Sequence, residues 1–481
     1  MGNFYPVLPD CNVGYLRNVR RVVGKVEKDP RVLLSEGYFS NPSVPWEQRI
    51  DNGYPNVFYD GTYGEYRCYY TCFIRDEAST ELPPKERVDK EYRFYDRGKY
   101  APRVAGILLI TSKDGVHWER PSLGVCQWEG STDNNIVLTH VHGASVFKDD
   151  REPDPAKRYK MVVRHDAHDK MAVSFSPDGI HWCKPIDWPQ YNPAGDTHNF
   201  AFWDERIGRY VLITRTWAQG TIRLAARCES DDFIHWTEPV EIYRGNGFDD
   251  QIYSMPVFQR GGVYYGLGSI FHGGDRAGED FDCVDCELLY SLDGWHWERA
   301  ALGQPLIPRS PGRYGDDVPD CGCIYASAPV ECDGKYVIYY FGSNGQHTNF
   351  REASLMRAFI DPDRLAGYTP KSAEGGYLGS CWVKVTGDEL YIVADLLGDR
   401  GSIEAAVCWP TSLHGPLQEL EGYGFADSLI SRHSNGHLRV QFGTRRLSDL
   451  PDERLMLVFR LRDAVLYGYG GDIEAIRREI G

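Results

Sequence analysis

No stretch of this 481-residue chain approaches the ~18 consecutive apolar residues that a membrane-crossing helix needs. Its start, MGNFYPVLPDCNVGYL, lacks the basic segment followed by an apolar one that marks a secretory leader. Met1-Gly2 opens as a myristoylation signal does, but Pro6 stands where Ser or Thr is wanted. There is no positive excess: 53 Lys and Arg against 69 Asp and Glu give a net charge of −16, which disfavours nucleic acid and anionic membrane as partners. Thirteen cysteines are an odd number without a regular framework, so reduced thiols are expected. Together these absences lead us to expect a cytoplasmic protein. With 42% hydrophobic and 25% charged residues, the chain is globular and long enough for one large domain and a smaller one.

What is present is repetition. TSKDGVHW, FSPDGIHW, ESDDFIHW and YSLDGWHW end at Trp118, Trp182, Trp236 and Trp297, at intervals of 64, 54 and 61 residues. Such a period is the mark of a propeller or an array. Each phrase follows a β-rich run, turns on Asp-Gly and starts the next strand with His-Trp. A second repeat interlocks with it. NGYPNVFYDGTYGEYRCYY, HGASVFKDDREPDPAKRYKMVV, HNFAFWDERIGRYVLI, YSMPVFQRGGVYYGL and YASAPVECDGKYVIYY each hold a strand, a polar turn and a Tyr-rich return strand.

The two repeats predict an all-β chain, a five-bladed β-propeller over 41–365, whose fifth outer pair near SLMRAFI is degenerate or closed by another segment. Residues 1–40 form an N-terminal strap of unread role. From about Leu365 the DG-x-HW phrase stops, and 366–470 is expected to be a small antiparallel β-sandwich, followed by a short helix over 471–481 with Asp472 as its cap.

Loop lengths choose the working face. The short turns lie at one end of the blades, whereas long insertions, from Arg75 to Arg103 and from Phe271 to Cys286, lie at the other. Long loops on a rigid scaffold are where sites are built. Just upstream of the inner strands the sequence offers Trp46, Glu47, Asp51 and Asn52; His140 and His142; Asp196, His198 and Asn199; Asp249, Asp250 and Gln251; and Asp316, Asp317 and Asp320. The ends of the second strands add Arg164, His165, Asp166, Arg215, Trp217, His272 and His347 at the same face. Carboxylates held close drive their pKa values apart, the requirement for paired acid and base work. By contrast, Asp114, Asp178 and Asp293 in the DG turns read as structural, and the DG-x-HW histidines as packing or bonded to neighbouring blades.

Five blades with S-x-D-G-x-x-W turns resemble the five-bladed propeller glycoside hydrolases of families 43, 62, 32, 68, 117 and 130. WEGSTDNNIVL, HNFAFWD, IYSMPVF and DCGCIYASAPV, with the tail LRDAVLYGYG, are similar to a bacterial family-32-like group, over about residues 40–470. The resemblance implies carboxylate chemistry at inner-strand heads. Asp51 takes the role of base or nucleophile, with Glu47 as an alternative. Asp250 or Asp196 takes that of the acid, with His142 as an alternative because family 117 uses a histidine. Asp320 is the remaining partner. Trp46, Glu47, His142, Arg164, His165, Asn199, Arg215, Gln251 and Tyr325 are candidate substrate contacts. The chain has no Asn-Asp-Pro-Asn or Arg-Asp-Pro box, so the acid stays open. The separation of the carboxyls decides stereochemistry, at about 5–5.5 Å for retention and 6.5–9.5 Å for inversion.

No cofactor is expected. An axial Ca²⁺ is common in such folds, but no ligand loop is readable here. Cys283-x-x-Cys286 and Cys321-x-Cys323 could form a zinc site on paper, but their spacing favours plain structural thiols. The expected activity is an exo-acting glycosidase removing a terminal sugar, furanosides included, from short oligosaccharides. A phosphate-dependent phosphorylase using Arg164, His165 and Arg215 is one alternative, and a non-catalytic carbohydrate-binding propeller the other. A homo-oligomer is left open.

Overall fold

The computed structural model describes residues 3–9, 11–35, 44–77, 102–189, 195–274, 277–312, 318–348, 351–409, 417–433 and 436–476. Their named elements are thirty-five strands and three short 3-10 turns, so the chain is almost entirely β. No helix among the described residues is long and apolar enough to cross a membrane.

Three four-stranded antiparallel sheets follow one another in chain order. The first holds Asn56–Asp60, Glu65–Asp76, Arg103–Ser112 and Ile136–Thr139; the second, Val141–Lys148, Tyr159–His165, Lys170–Ser176 and Ile186–Asp187; the third, Phe200–Asp204, Arg209–Ala218, Ile222–Ser230 and Val240–Tyr243. Two further units, built on Gln251–Ser254 and Val263–Phe271 and on Cys323–Ala326 and Lys335–Ser343, belong to one larger sheet. Their strands meet at a parallel bridge between Val284 and Cys323. Central strands are buried on both faces, which explains why they read as unbroken apolar runs such as Ile107–Ile110.

Successive units share their cores. Tyr69 and Leu109 pack with Val146 and Met161, Val162 and Phe175 with Leu212 and Phe233, Val211 and Ile213 with Ile252 and Leu289, and Leu267 and Leu288 with Ile324 and Ile338. The fifth unit then meets the first, Val337, Tyr339 and Phe341 against Val57, Cys68 and Tyr70. Buried hydrogen bonds repeat this order. Asp60, Asp149 and Asp204 stand at or just past the end of the first strand of a unit, and each accepts a tyrosine hydroxyl from the next: Tyr159 at 2.5 Å, Tyr210 at 2.6 Å and Tyr264 at 2.5 Å.

The DG-x-HW turns are a second set of rivets. Asp114 Oδ1 accepts the amides of Val116 and His117 at 2.9 and 2.8 Å, while its other oxygen holds His117 Nδ1 at 2.7 Å. Asp178, Asp232 and Asp293 repeat the pattern. The histidines are exposed and bonded to their own turn, not to a neighbouring sheet. The glycines have φ of +69°, +79° and +77°, and their carbonyls reach the preceding unit. Tyr339 donates to Gly115 O at 3.0 Å, Tyr69 to Gly179 O at 2.9 Å and Arg227 to Gly294 O at 3.0 Å. At the third turn Phe233 replaces glycine, at φ +66°, and its buried ring packs on Phe147 and Tyr210 instead.

The N-terminal segment, unread from sequence, ties the molecule together. Asn3–Pro6, Val13–Arg17 and Val19–Val23 pair with strands after residue 365. Glu27–Lys28 and Leu34–Ser35 pair with Ala353–Ile360, closing the outer edge of the fifth unit. The C-terminal region is an eleven-stranded sheet with these N-terminal strands included. It is built round the long strand Gly376–Leu396 and gathers one apolar core from Leu378, Ile392, Val440, Leu457 and Leu466. The expected helix from residue 471 is corrected over its described part: Ala464–Ile476 is a strand paired with Gly376–Leu396, because Ala464 and Leu466 and, past a register shift, Tyr469 and Ile473 face that core. Residues 477–481, the loop at 78–101, and Asp316 and Asp317 lie outside the described residues.

Candidate active site

A cleft of about 610 Å³ takes lining residues from all five units. The turn Asp51–Tyr54 precedes the first strand of unit one. His142 begins a strand of unit two, and Arg164 lies near the end of the next. Asp196 stands ahead of Phe200, Arg215 and Trp217 near the end of Arg209–Ala218, and Arg223 near the start of Ile222–Ser230. Tyr253 and His347 come from units four and five.

Asp51 adopts φ +61° in a tight turn with Gly53 at +69°. A Cβ on Gly53 would stand 2.2 Å from Phe341, so the turn presses against unit five and fixes the direction of the Asp51 carboxylate. That carboxylate accepts from Arg49 Nη2 at 2.7 Å and Arg351 Nη2 at 2.8 Å. Burial pushes its pKa up, but the charges of Arg351 and Arg49 outweigh this and hold it at about 2. Asp51 is therefore anionic at any ordinary pH. It can accept a proton or attack carbon; it cannot serve as the acid.

His142 is the complement. Nδ1 meets Asp166 Oδ1 at 2.5 Å and Nε2 meets Asp196 Oδ1 at 3.0 Å. Burial opposes its charge, yet the two carboxylates raise it to about 9. Asp196 in turn is pulled well below the ordinary carboxylate range against the pull of burial, first by His142 and then by Arg215 and Arg164. The cleft thus holds a fixed carboxylate and a charged imidazolium. His347, buried between Arg351 and Arg223, is pushed far below the usual histidine range by burial and by those charges, and is neutral.

Of the residues singled out from sequence, Asp51, Asn52, His142, Arg164, Asp166, Asp196, Arg215, Trp217 and His347 line this cleft, and the other described ones do not. Asp250 is ion-paired with Arg299 and accepts from Asn246 Nδ2 at 2.9 Å. Asp320 is buried, paired with Lys28 of the N-terminal segment and hydrogen-bonded by Tyr340 at 3.0 Å. Neither is free to act as an acid at the cleft. Glu47 is buried against Tyr70 and Arg120 (2.6 Å), and Trp46 donates to Asn135 at 2.6 Å, both within unit one. His165 joins His168 and Asp187 at the outer strand of unit two. Asn199 donates to Gly143 O at 2.7 Å and Gly195 O at 2.9 Å. Tyr325 packs edge-on to Tyr54 and Tyr253. Gln251 supports the cleft from behind, accepting from Arg223 Nη1 at 3.1 Å.

No family model and no curated protein matches this chain. Solved structures do resemble it. An N-acetylgalactosamine deacetylase from F. plautii, in complex with blood group B trisaccharide, is 16% identical with a TM-score of 0.43, covering 71% of this chain and 95% of its own. A β-1,2-mannobiose phosphorylase from Listeria innocua, in complex with β-1,2-mannobiose, is 12% identical with a TM-score of 0.46, covering 70% and 97%. An α-L-arabinofuranosidase from Podospora anserina, in complex with cellotriose, is also 12% identical at 0.46, covering 71% and 98%. At such identities and scores the likeness assigns no activity to this chain.

The residues present do not suit an axial Ca²⁺. The three carboxylates of the cleft, Asp51, Asp166 and Asp196, are each engaged by arginine or histidine, and five arginines share the lining. A hard cation needs several uncommitted oxygens. The four cysteines near the working face are buried thiols.

Arg49, Arg103, Arg223, Arg351 and Tyr253 were missed from sequence. Arg103 and Arg223 occur at or near the starts of third strands, which reach the same face as the ends of second strands. Extending the search from second-strand ends to third-strand starts would have found both.

Proposed function

We propose that this chain is a carbohydrate-active enzyme, a glycoside hydrolase that removes a terminal pyranoside or furanoside from a short oligosaccharide. The observation that carries the reading is the pairing, in one cleft, of an anionic Asp51 with a charged His142. His142 donates its proton to the glycosidic oxygen as the bond breaks. Asp51 either attacks the anomeric carbon or takes the proton of an attacking water. Asp196 and Asp166 hold the imidazole in place. The acid of this reading is a histidine, not the second carboxylate expected from sequence.

The five units are read as blades of one propeller over 41–365, with 1–40 as a strap and 366–470 as an accessory β-sandwich. The cyclic order of shared cores supports this. A cleft bounded by all five blades suits a chain end better than the middle of a polymer.

Aryl pyranosides and furanosides, assayed with wild type, Asp51→Asn and His142→Gln, test the reading. Turnover by wild type that both variants lose supports it. Full activity in either variant, or saccharide binding without turnover, overturns it. Turnover that requires inorganic phosphate would replace hydrolysis by phosphorolysis in the same cleft.

A further inference from the structure

The cleft belongs to a chain of net charge −16, yet it is lined by five arginines and three aspartates. Two of the five have a carboxylate beside them, whereas Arg103 has none among the described residues and lies over Phe73. Arg49 and Arg351 hold Asp51, and Arg164 pairs with Asp169. Arg215 and Arg223 differ from Arg49 and Arg164. Neither has a carboxylate within ion-pair distance among the described residues. Arg215 is only 2% exposed, and it donates from Nη2 to Tyr253 O at 3.3 Å. Arg223 is half-buried and bonds the neutral amide of Gln251. The Nε–H of each is buried without an acceptor.

Aromatic rings hold the two guanidiniums in place without neutralising them. Arg215 lies over Tyr253 at 4.2 Å and Trp217 at 5.3 Å, and Arg223 over Phe271 at 4.7 Å, Tyr253 at 5.1 Å and Trp217 at 5.2 Å. Asp196 acts on the charge of Arg215 from a distance, but neither guanidinium has a carboxylate in direct contact among the described residues, and a buried charge without a direct partner is costly. Two planar forks sharing the same aromatic supports, with donors unspent, are pre-organised for a planar oxyanion.

We propose that Arg215 and Arg223 form the receptor for a carboxylate carried by the saccharide itself, so that the sugar bound in this cleft is a uronic acid residue. The proposal rests on the glycosidase reading for the reaction, but not for the binding. A carboxylate is favoured over a free tetrahedral anion because each guanidinium is itself a planar fork that matches a carboxylate. Arg215 lines the same cleft as Asp196 and His142, so an anion held by it shares the cleft with them.

Calorimetric titration of the full chain in phosphate-free buffer, with D-glucuronate, D-galacturonate and D-mannuronate beside D-glucose, D-galactose and D-mannose, tests it. At least one acid should bind roughly tenfold or more tighter than its neutral counterpart, the worth of one charge-assisted pair. The preference should collapse in Arg223→Gln, a half-buried position where the fold is at little risk, and in Arg215→Met if that variant folds. The same ratio in wild type and Arg223→Gln overturns the proposal, as does a wild type with no preference for any acid. So does inorganic phosphate binding that is lost in Arg223→Gln while no uronate binds, because the anion is then a co-substrate. Uronate binding without turnover of any glycoside leaves this inference standing and removes the hydrolase reading. Turnover of neutral glycosides without acid preference does the reverse.

Discussion

The imidazole of His142 hydrogen-bonds the carboxylate of Asp196 at 3.0 Å across 54 positions of sequence, and this contact, with Asp166 on the other ring nitrogen, keeps a proton on the ring. The folded-state pKa of about 9 lies above the ordinary 6.5. The stabilisation from this cluster is therefore complete below about pH 6.5 and is lost as pH rises through about 9. If the imidazolium is the acid, kcat/KM should fall on the alkaline side with a midpoint near 9. His142→Gln should abolish that limb and lower kcat by about 10²–10⁴ on substrates with poor leaving groups. A dinitrophenyl glycoside, which needs no acid, should lose no more than roughly tenfold. Equal losses on both substrates would show that His142 is structural.

Asp51→Asn keeps the shape of the turn and removes the charge. We expect kcat/KM to fall by at least about 10³, as for loss of a nucleophile or base, with circular dichroism unchanged. Asp250→Asn is the matched control. It loosens a pair with Arg299 outside the cleft and should leave kcat/KM within about threefold of wild type. The opposite ranking would restore the roles read from sequence.

The turn rivets can be tested by stability alone. A Cβ on Gly179, at φ +79°, would come within 2.4 Å of Tyr69 Oη and 2.7 Å of Arg67 Nη1. Gly208, at φ +65°, faces open space. Gly208→Ala should cost about 1 kcal/mol, the backbone term by itself, and Gly179→Ala about 2–4 kcal/mol, since the neighbouring unit must also shift. Denaturant midpoints at constant slope separate the two. Equal losses would mean that the turn does not bear on the next unit.

Lys28→Met removes the charge facing Asp320, a carboxylate only 1% exposed. A buried charge stripped of its partner costs about 3–5 kcal/mol. The double variant Lys28→Met with Asp320→Asn should recover much of that loss, and limited proteolysis should cut the N-terminal segment faster in the single variant than in the double. A single variant as stable as wild type would remove Lys28 from the closure of unit five.

Repetition made the units legible from sequence. Ser-x-Asp-Gly and the tyrosines that answer it are local patterns, and local hydrogen bonds such as Asp114 to His117 follow from spacing. Site residues were legible only as residue types at strand heads. Asp250 and Asp320 look like Asp51 in that respect. What separates them is a partner far away in sequence, Arg299 for one and Lys28 for the other. The charge of His142 likewise depends on Asp196, which no local pattern ties to it. The end of the strand Ala464–Ile476, from residue 471, was misread because Asp472 and the following Glu and Arg imitate a capped helix, whereas its pairing with Gly376–Leu396 answers to a sheet that the sequence alone does not reveal.

The N-terminal strands have a consequence for biosynthesis. Tyr5 donates to Ile473 O across 468 positions, and Ser35 pairs with Ser354. On the ribosome, residues 3–35 emerge long before any strand that can receive them. For most of translation they are an unsatisfied edge, open to pairing with other nascent chains. The five units can collapse in order as they appear, but the seam of the fifth and the C-terminal sheet must wait for the final stretch of chain. Maturation should therefore be slow and late, governed by how long those first strands stay unclaimed.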